Sequence, residues 1–471
     1  MLDNDPRLTL IRTWLTRDLG WRIGRISVAS ADASFRRYFR VSRGDVDPAA
    51  WAPKADTLII MDAPPGKEDI APYLKVSSLL EQAGAHVPHV HASDARRGFV
   101  AMEDLGDTQY LSVLKTGRGV DKLYGDALAT LANIQVRGLR ASEQLAPYDR
   151  DPLERELNLM PEWFLIKHFG LELTPEERAL ITVTNEILIN EALLQPQVFV
   201  HKDFHSRNLM VLPHSKGGGP GVIDFQDALR GPVGYDLVSL LKDCYISWSR
   251  ERVERWVKGY RRVLGNLGAN VGDSEYQFLR WFDLIGVQRH IKVLGIFCRL
   301  WYRDGKPGYL GDLPLVFDYV RDACRRYPEL VEFERWLSWR VAPLLEAANT
   351  REMQRAAELA TRQAKRKPKR RAKPRRKPKT KVKAKAKSGI KRKAAAKPRR
   401  KVGARVVAQR KSSARKVRRK VTRPRRTPKR PMRRAKQRSM KRPTKRPAKR
   451  VARRKAKARG RSRRTARRRH P

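Results

Sequence analysis

The sequence predicts an α+β protein of two lobes, a small β-rich N-lobe and a mostly helical C-lobe, followed by a disordered tail. Three observations lead there. Short alternating runs crowd the first hundred residues, among them RISVAS (25–30), SFRRYFRV (34–41) and TLIIMDA (57–63). Long stretches of helical spacing fill most of 119–349. The charge is divided: 57 of the 104 Lys and Arg lie in 361–471, which holds no Asp or Glu. The remaining 47 face 48 acidic residues in 1–360, so the net charge of +56 belongs to the tail and the body is near neutral.

In chain order, RLTLIRTWLTRDL (7–19) places Leu8, Ile11, Leu15 and Leu19 on one helical face. The three strands follow, then a helix over 68–84 that ends at Gly84, a C-cap residue type. Two short strands flank the turn DARRG (94–98), and the second runs into a connector at 103–107. Helices are expected at 119–139, 151–168, 175–195, 235–243, 249–265, 274–301 and 329–349. One β interruption breaks them, with VFV (198–200), NLMVL (208–212) and GVIDF (221–225). A body of about 350 residues exceeds what one core supports, which gives lobes at 1–105 and 106–350 and a tail at 351–471.

Composition excludes several classes. Cys244, Cys298 and Cys324 are scattered without metal-ligand spacing, as free thiols in a reducing compartment are. No apolar run reaches the ~18 residues of a membrane span. The start, MLDNDPRLTL, is acidic and lacks the apolar stretch of a secretory signal. These features point to the cytoplasm. The glycine run GGGPG (217–221) lacks the GK[ST] ending of a phosphate loop and reads as a hairpin turn.

The chemistry concentrates in VFVHKDFHSRNLMVLP (198–213) and the IDF that follows it. Asp203, Asn208 and Asp224 each stand at the end of an expected strand, with the catalytic turn anchored as a β-hairpin between VFV and NLMVL. Two carboxylates and an amide converging on one point are what phosphoryl transfer needs. One aspartate takes the proton of the attacking hydroxyl, while the other and the asparagine hold Mg²⁺ against the nucleotide phosphates.

These segments, VHKDFHSRNLMV and VIDFQDALRGPVGYDLVSLL, resemble the aminoglycoside phosphotransferase and choline kinase superfamily, small-molecule relatives of the protein kinases. The resemblance spans most of 20–350 and implies a protein-kinase-like fold. It implies Asp203 as catalytic base, Asn208 and Asp224 as Mg²⁺ ligands, His201 as a brace of the loop and Asp236 as a helix cap beneath it. His205 stands where protein kinases place a phosphoryl-contacting Lys, which makes it a second catalytic candidate. For ATP, SADASFRRYF (30–39) would be the covering hairpin, with Ser34, Arg36 and Arg37, and MEDLG (102–106) the hinge, with the backbone of Glu103 and Leu105. The family's strand-three Lys is missing from TLIIMDAPP, where Met61 stands near its place. Either Arg36, Arg37 or Arg40 supplies that charge, or activity is weak.

A narrower resemblance rests on SFRRYFRV, MDAPPGKEDIAPYLKV, DFHSRNLM, DFQDALRGPVGYDLVSLLKDCYISW and VQRHIKVLGIFCRL. Together they are similar to the anomeric kinases that phosphorylate N-acetylmuramate and N-acetylglucosamine at C1 during cell-wall recycling. Arg207, Gln226, Asp227, Arg289 and His290 are the sugar-contact candidates, although the apolar stripe Val287, Ile291, Leu294 and Phe297 leaves Arg289 open to a solvent-facing role. An aminoglycoside-type or choline-type enzyme is the alternative, and a polycationic substrate would need an acidic cleft. A protein kinase is disfavoured because no activation segment fits between 224 and 236.

The tail repeats AKPRRK at 372–377 and 396–401 and has no aromatic residue, so it cannot bury enough surface to fold alone. It resembles the Lys/Ala/Pro-rich tails of linker-histone-like proteins. As a polycation it is expected to bind nucleic acid without sequence preference and to bring the chain to the nucleoid. A reading from another class follows, in which the chain is a chromatin-type DNA-binding protein with a degenerate kinase body.

Overall fold

The computed structural model describes residues 5–31, 35–44, 56–213 and 218–366. Of the disordered tail expected over 351–471, residues 351–366 are instead helical, and the rest lies outside the described residues.

The N-lobe is a five-stranded antiparallel sheet in the order β1-β2-β3-β5-β4, with one helix on each face. Helix α1 (Pro6–Thr13), capped by the Asp5 side chain, continues through a π-helical turn to Asp18. Strands β1 (Ile23–Ala31), β2 (Arg37–Arg43) and β3 (Thr57–Asp62) follow, then α2 (Ala71–Gln82), β4 (Val90–Asp94) and β5 (Phe99–Glu103). The two-residue period of a strand explains the layering. Leu58 and Ile60 of β3 pack with Leu8, Ile11 and Trp14 of the α1 segment. Met61 turns to the other face and packs with Tyr73 and Val76 of α2 and with the C-lobe core. Gly84 adopts φ +83° just past α2, as expected of a C-cap residue.

Asp62, fully buried, is held by Arg7 Nε at 2.9 Å and Arg37 Nε at 3.0 Å, with Arg37 Nη1 also 2.5 Å from Asp5. The pair of arginines fixes α1 onto β2 and β3. Arg40 fixes the hinge instead: its guanidinium grips Asp104 at 2.5 and 3.0 Å and reaches Asp107 at 2.9 Å.

The C-lobe begins with α3 (Tyr110–Leu114), α4 (Val120–Arg137), α5 (Leu139–Ser142), α6 (Arg150–Leu157) and α7 (Pro175–Leu194), the last opened by a Thr174/Glu177 capping box. Four short strands come next: β6 (Gln197–Val200), β7 (Leu209–Val211), β8 (Pro220–Val222) and β9 (Leu229–Pro232). Then come α8 (Tyr235–Leu241), α9 (Arg250–Asn266), α10 (Glu275–Tyr302), α11 (Leu313–Cys324), α12 (Val331–Trp336) and α13 (Ala342–Arg366). Helix α10 is buried on nearly every side from Trp281 to Gly295, so the expected apolar stripe is part of an axial core helix. Among the described residues no helix is long and apolar enough to cross a membrane.

Four features depart from expectation. The catalytic turn is not the loop of a hairpin: β6 pairs with β9, and β7 pairs with β8 across the glycine run. Strand β9 was not expected, because LRGP carries both Gly and Pro, poor strand formers that gain their place by pairing with β6. Helix α11 was not expected either. The GKPGYLGDLP run before it reads as loop, yet Pro314 falls in the first turn where no N–H is needed, and Val316, Phe317 and Val320 lie buried. Helix α13 also runs past 350, with Glu352 buried and accepting from Trp301 Nε1 at 3.0 Å.

Candidate active site

Helix α8 and the residues just past its end hold the catalytic turn at two points. The Asp236 carboxylate accepts from the backbone N–H of His201 at 2.6 Å and of Lys202 at 3.0 Å. Asp243, two residues beyond the end of α8, accepts from the Ser206 N–H at 3.0 Å and from its hydroxyl. Asp236 therefore grips the turn rather than capping its own helix, which corrects the expected role. The turn it holds is strained: Lys202 has φ +81°, in the left-handed region that non-glycine residues avoid. Asp224, at the other side of the site, has φ +64°.

Inside the turn, Asp203 N–H donates to His201 Nδ1 at 3.2 Å, and the Asp203 carbonyl accepts from His205 N–H at 3.0 Å and Asn208 Nδ2 at 3.1 Å. His201 is fully buried, and that burial pushes its pKa down to about 4, so the brace is a neutral imidazole. Burial pushes Asp236 the other way, up to about 7. For Asp203, burial would raise the pKa, but the charges of His205, Lys292 and Arg289 outweigh it and hold the group below the ordinary value, as a carboxylate.

Asn208 Nδ2 lies 3.4 Å from Asp224 Oδ2, so the sequence-predicted trio converges. A carboxylate and an amide oxygen are hard donors, and one or two such ligands suit a Mg²⁺ that keeps its other positions for water and phosphate. The donor set fits. Gln226 Nε2 steadies Asp224 Oδ1 at 3.0 Å and reaches Asp227 at 3.3 Å. Arg36 brings its guanidinium to 4.0 Å from Asp224.

Two clefts meet at this point. The first, about 520 Å³, lies between the lobes and is lined by Tyr38, Ile59, Met102, the 103–107 connector, Met210 and Ile223. Apolar residues of both lobes and polar residues of the connector line it together. The Glu103 N–H donates to the His89 carbonyl at 2.9 Å, and His86 Nε2 meets the Glu103 carboxylate at 3.0 Å. The second cleft, about 930 Å³, lies in the C-lobe and is lined by Glu156, Lys202, Asp203, His205, Asp227, Tyr245, Lys292 and Arg299 among others. Arg207, Asn208, Asp224 and Tyr309 line both.

The sequence-predicted residues divide accordingly. Asp203, His205, Asn208, Asp224, Arg207 and Asp227 line the clefts, and Arg207 stacks its guanidinium 3.5 Å over the Tyr245 ring. Glu103 and Leu105 line the first cleft. Arg37 is engaged by Asp5 and Asp62 behind the sheet rather than at the cleft. Arg289 and His290 line neither cleft, contrary to expectation. Arg289 is buried with Nη1 3.7 Å from Cys244 Sγ, and His290 bonds the Lys242 carbonyl at 3.0 Å and stacks on Tyr319. Their place on a helix buried all round explains this. Ser34 lies outside the described residues.

Sequence reasoning missed the floor of the second cleft. Glu156 on α6 joins Lys292 at 2.9 Å and Lys202 at 3.4 Å, and Lys292 also donates to the Tyr235 hydroxyl at 2.9 Å. Burial would raise the Glu156 pKa, but Lys292 and Lys202 hold it below the ordinary carboxylate value. Asp243 lies past the end of α8, so helical spacing from Asp236 does not place it. Glu156 carried no local signal.

The chain matches the phosphotransferase enzyme family over residues 25–282. It is 42% identical over 350 residues to an N-acetylmuramate/N-acetylglucosamine kinase of Pseudomonas aeruginosa, covering 72% of this chain and 98% of that one. It is likewise 42% identical over 325 residues to the enzyme of the same name in Neisseria meningitidis, covering 68% and 92%. Among solved structures, a choline/ethanolamine kinase family protein from Mesorhizobium loti aligns over 70% of this chain and 98% of its own, at 13% identity and a TM-score of 0.46.

Proposed function

Because the chain belongs to the phosphotransferase enzyme family, we propose that it transfers the terminal phosphoryl group of ATP to the anomeric hydroxyl of N-acetylmuramate or N-acetylglucosamine. The observation that carries this is the convergence of Asp203, Asn208 and Asp224 where the two clefts meet. ATP takes the inter-lobe slot, its adenine between Ile59 and Met210 against the Glu103–Leu105 backbone. The sugar takes the C-lobe cleft. Asp203 orients the C1 hydroxyl and accepts its proton as the bond to phosphorus forms. Asn208 and Asp224 would hold Mg²⁺, which would supply positive charge to offset that of the nucleotide phosphates. Arg36, beside Asp224, supplies the positive charge that the missing strand-three Lys would otherwise bring.

The sugar cleft balances Glu156, Asp203, Asp224 and Asp227 against Arg155, Lys202, Arg207, Lys292 and Arg299. A polycationic antibiotic needs a net-acidic cleft, so this balance favours a neutral or anionic sugar. The basic segment 361–471 adds a second property: 57 positive charges without one acid bind nucleic acid by counterion release, independent of sequence. Incubation with ATP, Mg²⁺ and each amino sugar, followed by ³¹P NMR, tests the reading. A sugar 1-phosphate is expected, and no turnover of either sugar would sink the proposal.

A further inference from the structure

The C-lobe cleft contains a half-buried arginine, Arg299 on the last turns of α10, whose Nε finds no hydrogen-bond partner. The charges of Asp304, Glu162 and Glu156 offset only part of the cost of its burial. Among the described residues no carboxylate forms an ion pair with it. Burial and the neighbouring Arg303 guanidinium hold its pKa below the ordinary arginine value. The other cations of the cleft are already occupied or solvated. Lys202 and Lys292 are paired with Glu156, Arg207 lies flat on Tyr245, and Arg155 is exposed on α6. Leu159, Ile296, Phe297 and Leu300 line the wall beside Arg299, and such a wall keeps water from a charge pair and strengthens it.

The spacing is suited to a substituted hexose. Lys292, whose charge acts on Asp203, and Arg299 are seven residues apart on one helix, roughly 10 Å at the helical rise. N-acetylmuramate differs from N-acetylglucosamine by a lactyl ether at C3, which carries a carboxylate away from the ring and from C1. We infer that Arg299 is the specificity-determining residue that receives this lactyl carboxylate through its guanidinium fork, while N-acetylglucosamine leaves the position to water. The inference rests on the amino-sugar kinase reading above and adds to it the residue that separates the two sugars.

Steady-state kinetics of the full chain with both sugars test it. Arg299→Gln should raise KM for N-acetylmuramate about 10- to 100-fold, with little change in kcat, and leave KM for N-acetylglucosamine within about twofold. Arg299→Lys, which keeps the charge but loses the fork, should fall between. Equal losses for both sugars, or no loss for either, would overturn the assignment. The wild-type chain gives an arm independent of folding. The methyl ester of N-acetylmuramate should show a KM raised like that of the Gln variant, and an ester bound as well as the acid would overturn the assignment. Absence of turnover of both sugars by the wild type would instead overturn the functional reading itself, and this inference with it.

Discussion

Asn208 Nδ2 lies 3.4 Å from Asp224 Oδ2, although sixteen residues and a β-hairpin separate them. The hairpin closes that separation: Leu209 pairs with Val222, and the Ile223 N–H donates to the Asn208 carbonyl at 3.1 Å. The two proposed metal ligands are thus neighbours across the end of one ladder. Asp203, the proposed base, stands apart, delivered by the separate β6–β9 pair and held by α8.

Loosening that hold should cost turnover. Asp236→Asn leaves one acceptor for two backbone donors, His201 and Lys202, and places an N–H against an N–H. The loss of about 1–3 kcal/mol falls on a strained turn. We expect kcat to drop about 10- to 100-fold with KM for ATP little changed, as read by a coupled ADP assay.

The same two residues set opposing dependences of stability on pH. Asp236, raised to about 7 from an ordinary 3.8, contributes stability that is full below pH 3.8 and lost as pH rises through 7, about 4 kcal/mol in all. His201, lowered to about 4 from 6.5, contributes stability that is full above pH 6.5 and lost as pH falls through 4, about 3 kcal/mol. Urea midpoints measured from pH 4 to 7 should separate them. Relative to wild type, Asp236→Asn gains stability as pH rises, and His201→Asn loses it.

Gly295 is a packing requirement of the sugar cleft. A Cβ there would lie 2.4 Å from the Leu159 backbone, and Leu159 and Ile296 both line the cleft. Gly295→Ala should lower stability by about 1–3 kcal/mol and raise the sugar KM more than the ATP KM. Thermal melts and two-substrate kinetics read both effects.

Removing residues 367–471 should leave kcat within about twofold, since the cleft residues all lie before them. The same deletion should abolish binding to random-sequence duplex DNA, and the full chain's affinity should fall steeply with salt. Gel-shift titrations at two salt concentrations check this.

Much of the site was legible in the sequence because phosphoryl transfer fixes residue type and spacing along a short stretch. HKDFHSRN and IDF carry their chemistry locally. What failed depended on contacts that sequence order conceals. Glu156 meets Lys292 from another helix, so neither residue signals the other. Arg289 and His290 looked available because α10 shows an apolar stripe, but other elements cover its polar side as well. Arg37, one residue from Arg36, faces Asp5 and Asp62 because successive strand residues face opposite ways. In the N-lobe the two-residue period revealed the strands. It could not reveal that β6 would choose β9, whose own sequence is a poor strand former.

Phosphoryl transfer as proposed requires Asp203 to serve as the base at a site completed by Asn208 and Asp224. Single-turnover transfer from ATP to N-acetylmuramate by the Asp203→Asn chain measures it most directly. The predicted result is a rate lowered about 10²- to 10⁴-fold with ATP binding, followed by calorimetry, within about threefold of wild type. Transfer at a rate close to wild type would contradict it.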